Sequence, residues 1–73
     1  ERFLRELGFR QVRARHHDTI LRIEVPPEDF SRLLEHASAI VQHMRALGYT
    51  YITLDLEGYR SGKMNDVLKG SGE

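Results

Sequence analysis

Two arginines one residue apart, Arg13 and Arg15, are the residues of this chain best suited to chemistry. If Gln11–His17 is a strand, side chains two apart share a face. Arg22, Glu24, Asp55 and Tyr51 would then lie near them on neighbouring strands. A guanidinium presents a planar fork of N–H donors that matches phosphate or carboxylate. The same residues also read as an ordinary salt-bridged sheet face, with Arg13 and Arg15 set against Glu24 and Asp55, where exposed pairs contribute little. Both readings stand at this level.

The segment Gly58–Asn65 is a second candidate, running Gly-Tyr-Arg-Ser-Gly-Lys-Met-Asn after a strand. Its two glycines permit close backbone approach, and Arg60, Ser61 and Lys63 supply donors for an anion. It lacks the spacing and the closing Lys-Ser/Thr pair of a Walker A loop. A turn packing Tyr59 on the domain is the plain alternative.

Histidines give no metal site. His16 and His17 are adjacent, so on a strand they point to opposite faces and read as turn residues. His36 and His43, seven apart on a helix, are two turns apart and read as helix-surface or interface residues. Met44 and Met64 read as gap fillers. None of Ser31, Ser38, Ser61 and Ser71 has a nucleophile elbow or a neighbouring base.

The elements that must position these residues follow from periodicity. Glu1–Leu7 reads as a short helix with Phe3, Leu4 and Leu7 on one face and Gly8 at its C-terminal cap. Phe30, Leu33, Leu34, Ala37, Ile40, Val41, Met44 and Leu47 keep helical phase. Pro27 suits the first helical position, Glu28 and Asp29 the positive end of the dipole, and Gly48 the close. His36-Ala37-Ser38 is where this helix would break. Three strands alternate apolar and polar residues: Gln11–His17, Thr19–Val25 and Thr50–Glu57. Val12 and Ala14, then Leu21, Ile23 and Val25, then Ile52, Leu54 and Leu56 form the apolar face.

A short turn at His17-Asp18 makes the first two strands a hairpin. The long helix returns the chain so that the third strand runs parallel to the second; if it inserts beside the first strand instead, all neighbours are antiparallel in the order 2-1-3. The latter is the expectation: an α+β domain of order αββαβ, with helices on one face of a three-stranded antiparallel sheet. In that order the small Ala14 sits centrally under the helix. A further short helix is expected over Asn65–Lys69. Residues 1–69 read as one module and residues 70–73 as a flexible tail.

Composition narrows the function. A chain of 73 residues buries only about 60% of its unfolded surface, so its core is thin and a neighbour would help it. Having no cysteine, it has no disulfide and no thiolate zinc site, which fits a cytoplasmic protein. Eleven basic and eleven acidic residues cancel, against general nucleic-acid binding. Five arginines nevertheless fall in the first fifteen residues. No apolar run approaches the ~20 residues of a membrane span, and no signal-peptide pattern is present. The start at Glu1 and the Gly70-Ser71-Gly72-Glu73 end read as cuts in a longer protein.

Three strings carry a resemblance: Leu7–His17 (LGFRQVRARHH), Arg22–Val25 (RIEV) and Leu47–Asn65 (LGYTYITLDLEGYRSGKMN). Together, in this order and from Glu1 to about Leu68, they resemble the C-terminal region of LarE-type ATP-dependent sulfur transferases of the PP-loop pyrophosphatase group. The resemblance implies a parent in which an N-terminal PP-loop domain binds ATP, with magnesium, and adenylates a carboxylate. A cysteine or an iron–sulfur cluster then supplies sulfur to make a thiocarboxylate; in one branch the substrate is the nicotinate-derived precursor of a nickel-pincer cofactor. It implies no cofactor in this chain. By motif match Arg13 and Arg15 would contact phosphate, Glu1 would be the acidic residue before Phe-Leu-Arg, and Arg60 would belong to the Gly-Tyr-Arg stretch. Lys63 departs from the Ser-Gly-Ser-Met-Asn expected there.

The expected partners are the N-terminal PP-loop domain of the same chain and an anionic small-molecule substrate, with no nucleic acid and no membrane. The module alone would carry no complete active site. The rival reading is a structural or oligomerisation module that meets another subunit through its charged face or through the helix carrying His36 and His43. A single-stranded nucleic-acid binder would need more exposed aromatics than Tyr51.

Overall fold

The computed structural model describes residues 2–59. Glu1, Arg60, the rest of the Gly58–Asn65 segment beyond it, the helix expected over Asn65–Lys69 and the tail at 70–73 lie outside the described residues. Along the chain come α1 (Arg2–Glu6), β1 (Arg13–His17), β2 (Ile20–Glu24), a 3₁₀ turn (Pro27–Asp29), α2 (Phe30–Glu35), α3 (Ala37–Ala46) and β3 (Tyr51–Leu54). The α+β class and the element order are as the periodicity implies. Among the described residues, no helix is long and apolar enough to cross a membrane.

The long helix breaks within the stretch singled out above. His36 takes φ −104° and ψ 14° and serves as the C-cap of α2 and the N-cap of α3. Gly8 and Gly48 follow α1 and α3 at positive φ, 106° and 108°. Gly48 N–H donates to Arg45 O and Tyr49 N–H to Met44 O, which closes the last turn of α3 and turns the chain toward β3.

The sheet departs from expectation. Its order is β1-β2-β3, with β1 antiparallel to β2 and β3 parallel to β2. The expected order 2-1-3, antiparallel throughout, is therefore wrong. The physical reason lies in which strand can tolerate burial on both sides. β2 carries Leu21 and Ile23, buried to 3% and 2% exposure, and leads into fully buried Val25. β1 reads Arg-Ala-Arg-His-His and is exposed over its last three residues. The apolar strand takes the centre and the cationic strand the edge; the helical crossover then lands β3 beside β2, as a βαβ connection does.

β3 is also shorter than the alternation predicts. Asp55 Oδ1 accepts the Glu57 N–H at 2.9 Å and Asp55 O accepts the Gly58 N–H at 3.0 Å, so a turn replaces the strand after Leu54. Leu56, expected on the apolar face, is 80% exposed.

The core joins Leu4 of α1, Phe9 and Val12 of the following loop, Leu21, Ile23 and Val25, and Leu33, Ile40 and Met44 of the helices. Phe9 is its largest fully buried side chain. Arg32 holds this corner: its guanidinium lies 4.4 Å from the Phe9 ring centroid and donates to Gly8 O and to Asp29 Oδ1. Leu34 and Leu47, assigned to the apolar stripe, are 61% and 64% exposed. Leu34 instead lines an apolar groove with Ala37, Val41 and Leu54 at the margin of the core.

Candidate functional site

The hairpin builds the charged face. Asp18 and Thr19 form its turn, and the register pairs Arg13 with Glu24 and Arg15 with Arg22. Leu21, Ile23 and Val25 turn into the core, so Arg13, Arg15, Arg22 and Glu24 share the opposite face. The alternation had brought these residues together; the register assigns the partners.

Glu24 is the hub. Its side chain is only 10% exposed, and its carboxylate meets Arg22 at 3.3 Å, Arg15 at 3.4 Å and Arg13 at 3.9 Å. Arg22 Nε also lies 3.8 Å from Asp55 Oδ2. Asp55 therefore pairs with Arg22 and not with Arg13 or Arg15, because β2 separates β1 from β3. Arg13 rests on the Tyr59 ring, its Cζ 5.0 Å from the centroid. Tyr59 is anchored by its N–H, which donates to Val25 O at 2.9 Å. Tyr51 sits at the far end of β3, level with Ile20, away from the Glu24 hub.

These separations exceed the ~2.7–2.9 Å of strong charge-assisted hydrogen bonds. The guanidinium side chains of Arg15 and Arg22 remain 50% and 51% exposed, that of Arg13 34%. Arg15 opposing Arg22 across the ladder is also a like-charge placement, which costs stability unless an anion offsets it. Glu24 offsets part of it. Together with Asp55 and Glu57, the three arginines and Glu24 line a depression of about 220 Å³. Three cations there face three carboxylates, so any affinity for an anion comes from directed donors, not from surplus charge.

Sequence reasoning had Arg22 and Glu24 as neighbours of the site but missed their central place in it. The signal was available: a two-residue turn at Asp18-Thr19 makes opposed residue numbers sum to a constant, which sets Glu24 against Arg13 and Arg22 against Arg15.

Three of the four histidines have packing roles. His43 stacks on Phe3 with ring centroids 3.8 Å apart, and His36 meets Phe9 edge-on at 6.2 Å. His16 Nδ1 lies 3.3 Å from the Tyr49 hydroxyl. Among the described residues, no group of three or more His, Cys, Asp or Glu is arranged to hold a metal ion.

Known proteins now bear on this geometry. No protein-family model matches the chain. It is 46% identical over 68 residues, 93% of its length, to the pyridinium-3,5-bisthiocarboxylic acid mononucleotide synthase of Lactiplantibacillus plantarum. The resemblance to LarE-type enzymes is borne out. The chain is also 47% identical over 70 residues to an uncharacterized protein of Synechocystis sp.. It spans about a quarter of the length of these curated relatives, 26% and 25%.

Proposed function

We propose that this chain is the C-terminal substrate-binding module of a LarE-type, ATP-dependent sulfur transferase, and that Arg13 and Arg15 bind a phosphate of its substrate. One observation carries the reading: three arginines converge on a single buried carboxylate on an open sheet face, at distances that leave most of their donors uncommitted. Arg22, opposite Arg15, belongs to the same site. In this reading Arg60 and an acidic group from Glu1 are assigned to the same site by motif match alone.

In the same reading an N-terminal PP-loop domain of the same polypeptide holds ATP and magnesium and adenylates the substrate carboxylate. This module's own residues do the remaining work. Arg13 and Arg15 present guanidinium forks to phosphate oxygens, the Tyr59 ring backs Arg13, and Glu24 tethers both. Binding the phosphate of the substrate, remote from the reacting carboxylate, positions the latter for chemistry.

The test is phosphate-ligand binding by the full-length protein in which Arg13→Ala and Arg15→Ala are combined. Calorimetric affinity for inorganic phosphate and for nicotinate mononucleotide should fall by roughly two orders of magnitude, as expected when charge-assisted pairs are lost. The circular-dichroism melting temperature should fall only modestly, because Arg22 still pairs with the nearly buried Glu24 once Arg13 and Arg15 are gone. Unchanged affinity sinks the assignment.

A further inference from the structure

The pleat sorts the outer face of the sheet into rows that run across the strands. One row holds Arg15, Arg22 and Thr53, and the next, toward the hairpin turn, holds His17, Ile20 and Tyr51. On the other side of the arginine row stand Glu24 and Asp55. Arg15 and Arg22 therefore divide the face, and both of them line a depression on either side of that division.

The two depressions differ in charge and in size. The one toward Glu24 measures about 220 Å³ and is lined by three carboxylates, those of Glu24, Asp55 and Glu57. The one toward the turn measures about 480 Å³ and is lined by Arg15, His16, His17, Ile20, Arg22 and Thr53, with no carboxylate among these described residues. The second alone falls within the ~300–1,000 Å³ of small-molecule sites. Thr53 has no hydroxyl proton to give a ligand there, because its Oγ1 donates to Leu21 O at 2.9 Å. At the turn side the register sets Ile20 beside Tyr51, and these large side chains are 39% and 62% exposed.

We propose that a ligand whose phosphate is held by the arginines extends its organic part toward the turn, over Ile20, and lays an aromatic ring on Tyr51. This inference rests on the phosphate reading given above and adds the ligand's direction and class, a phosphomonoester that carries a planar ring. Charge and room choose the direction. Toward Glu24 the organic part would meet three carboxylates in the smaller space, whereas the turn side is larger and is lined by cations and Ile20. The span fits as well. Two residues along a strand advance about 6.6 Å, the reach of one sugar between a 5′-phosphate and its base. A tyrosine ring stacks on a planar ring of either charge, so it would favour ring-bearing over ring-free phosphates.

The test compares nicotinate mononucleotide with ribose 5-phosphate, which has the same phosphate and sugar and no ring, by calorimetry on the full-length protein. The parent should bind the mononucleotide more tightly. Tyr51→Ala should lower that affinity by roughly fivefold or more, as for the loss of one stacked base, and leave the affinity for ribose 5-phosphate unchanged. Tyr51→Phe retains the ring and should retain the parent's ratio of affinities, which separates loss of stacking from loss of fold. Glu57→Ala should move both affinities by one factor and leave their ratio alone. Equal affinity of the parent for the two ligands overturns the proposal. So does a Tyr51→Ala variant that melts earlier but keeps the parent's ratio, because Tyr51 would then pack against another part of the polypeptide. A ratio altered by Glu57→Ala would put the organic part on the acidic side and overturn it equally. In each of these cases the phosphate reading survives if the combined Arg13→Ala and Arg15→Ala variant loses ribose 5-phosphate. If that variant binds as the parent does, both readings fall.

Discussion

Along β1 four of five residues are arginine or histidine, whereas along β3 none of four carries a charge. Both are edges of the same three-stranded sheet, and both lean on β2. The β1 edge is guarded by long cationic side chains, the means by which edge strands resist pairing with other chains. The β3 edge runs beside an apolar groove. The difference teaches that the two sides of this small module suit different contacts: anions at the hairpin, apolar groups at the crossover.

The comparison breaks first at the strand both edges share. Ile23→Ala removes a side chain at the centre of β2 that is 2% exposed, and should cost about 2–5 kcal/mol in urea denaturation. Amide exchange should accelerate along β1 and β3 together. Acceleration along one alone would show that the edges are not carried by a common core.

A smaller effect is expected at Glu24. Glu24→Gln leaves Arg13, Arg15 and Arg22 without their shared anion and should destabilise by roughly 1–3 kcal/mol, the range for losing a hydrogen-bonded charge partner, reduced by the partial exposure of the arginines. Added phosphate should restore more of the melting temperature than chloride at equal ionic strength. Equal recovery by the two salts would mean that the arginines respond only to screening. Exchange rates at Ile52 and Leu54 should stay unchanged.

The smallest effect lies at the hairpin turn, which sets the register of the cationic edge. Asp18 is the only non-glycine residue at positive φ among those described, at 58°. Asp18→Gly should stabilise by about 0.5 kcal/mol, with relief of the left-handed conformation partly offset by unfolded-state entropy. A loss of stability in thermal melts would indicate that the Asp18 side chain itself supports the turn.

Much of the fold was legible in residue patterns. The helical stripe from Phe30 to Met44, its break at His36, the closing glycines and the hairpin all follow from local rules. The arginine face was legible too, because period-two alternation places Arg13, Arg15, Arg22 and Glu24 opposite Leu21 and Ile23 however the strands are ordered. Leu56 was misjudged because a side-chain turn at Asp55 overrides the alternation within a residue or two, and Leu34 because it stands at the margin of the core, on a groove rather than in the interior.

What the sequence by itself determined is therefore which residues share a face, since that depends only on the pitch of a helix or the pleat of a strand. Which strand stands in the middle was decided in three dimensions. Two orders satisfied the same alternation, and they differ only in whether Leu21, Ile23 and Val25 or Val12 and Ala14 receive neighbours on both sides. Burial chose the first, because the larger apolar strand gains more from being enclosed and the arginines of β1 lose less hydration at an edge. That choice made Glu24, and not Asp55, the carboxylate the arginines share, and it set the uncharged β3 at the opposite edge from β1.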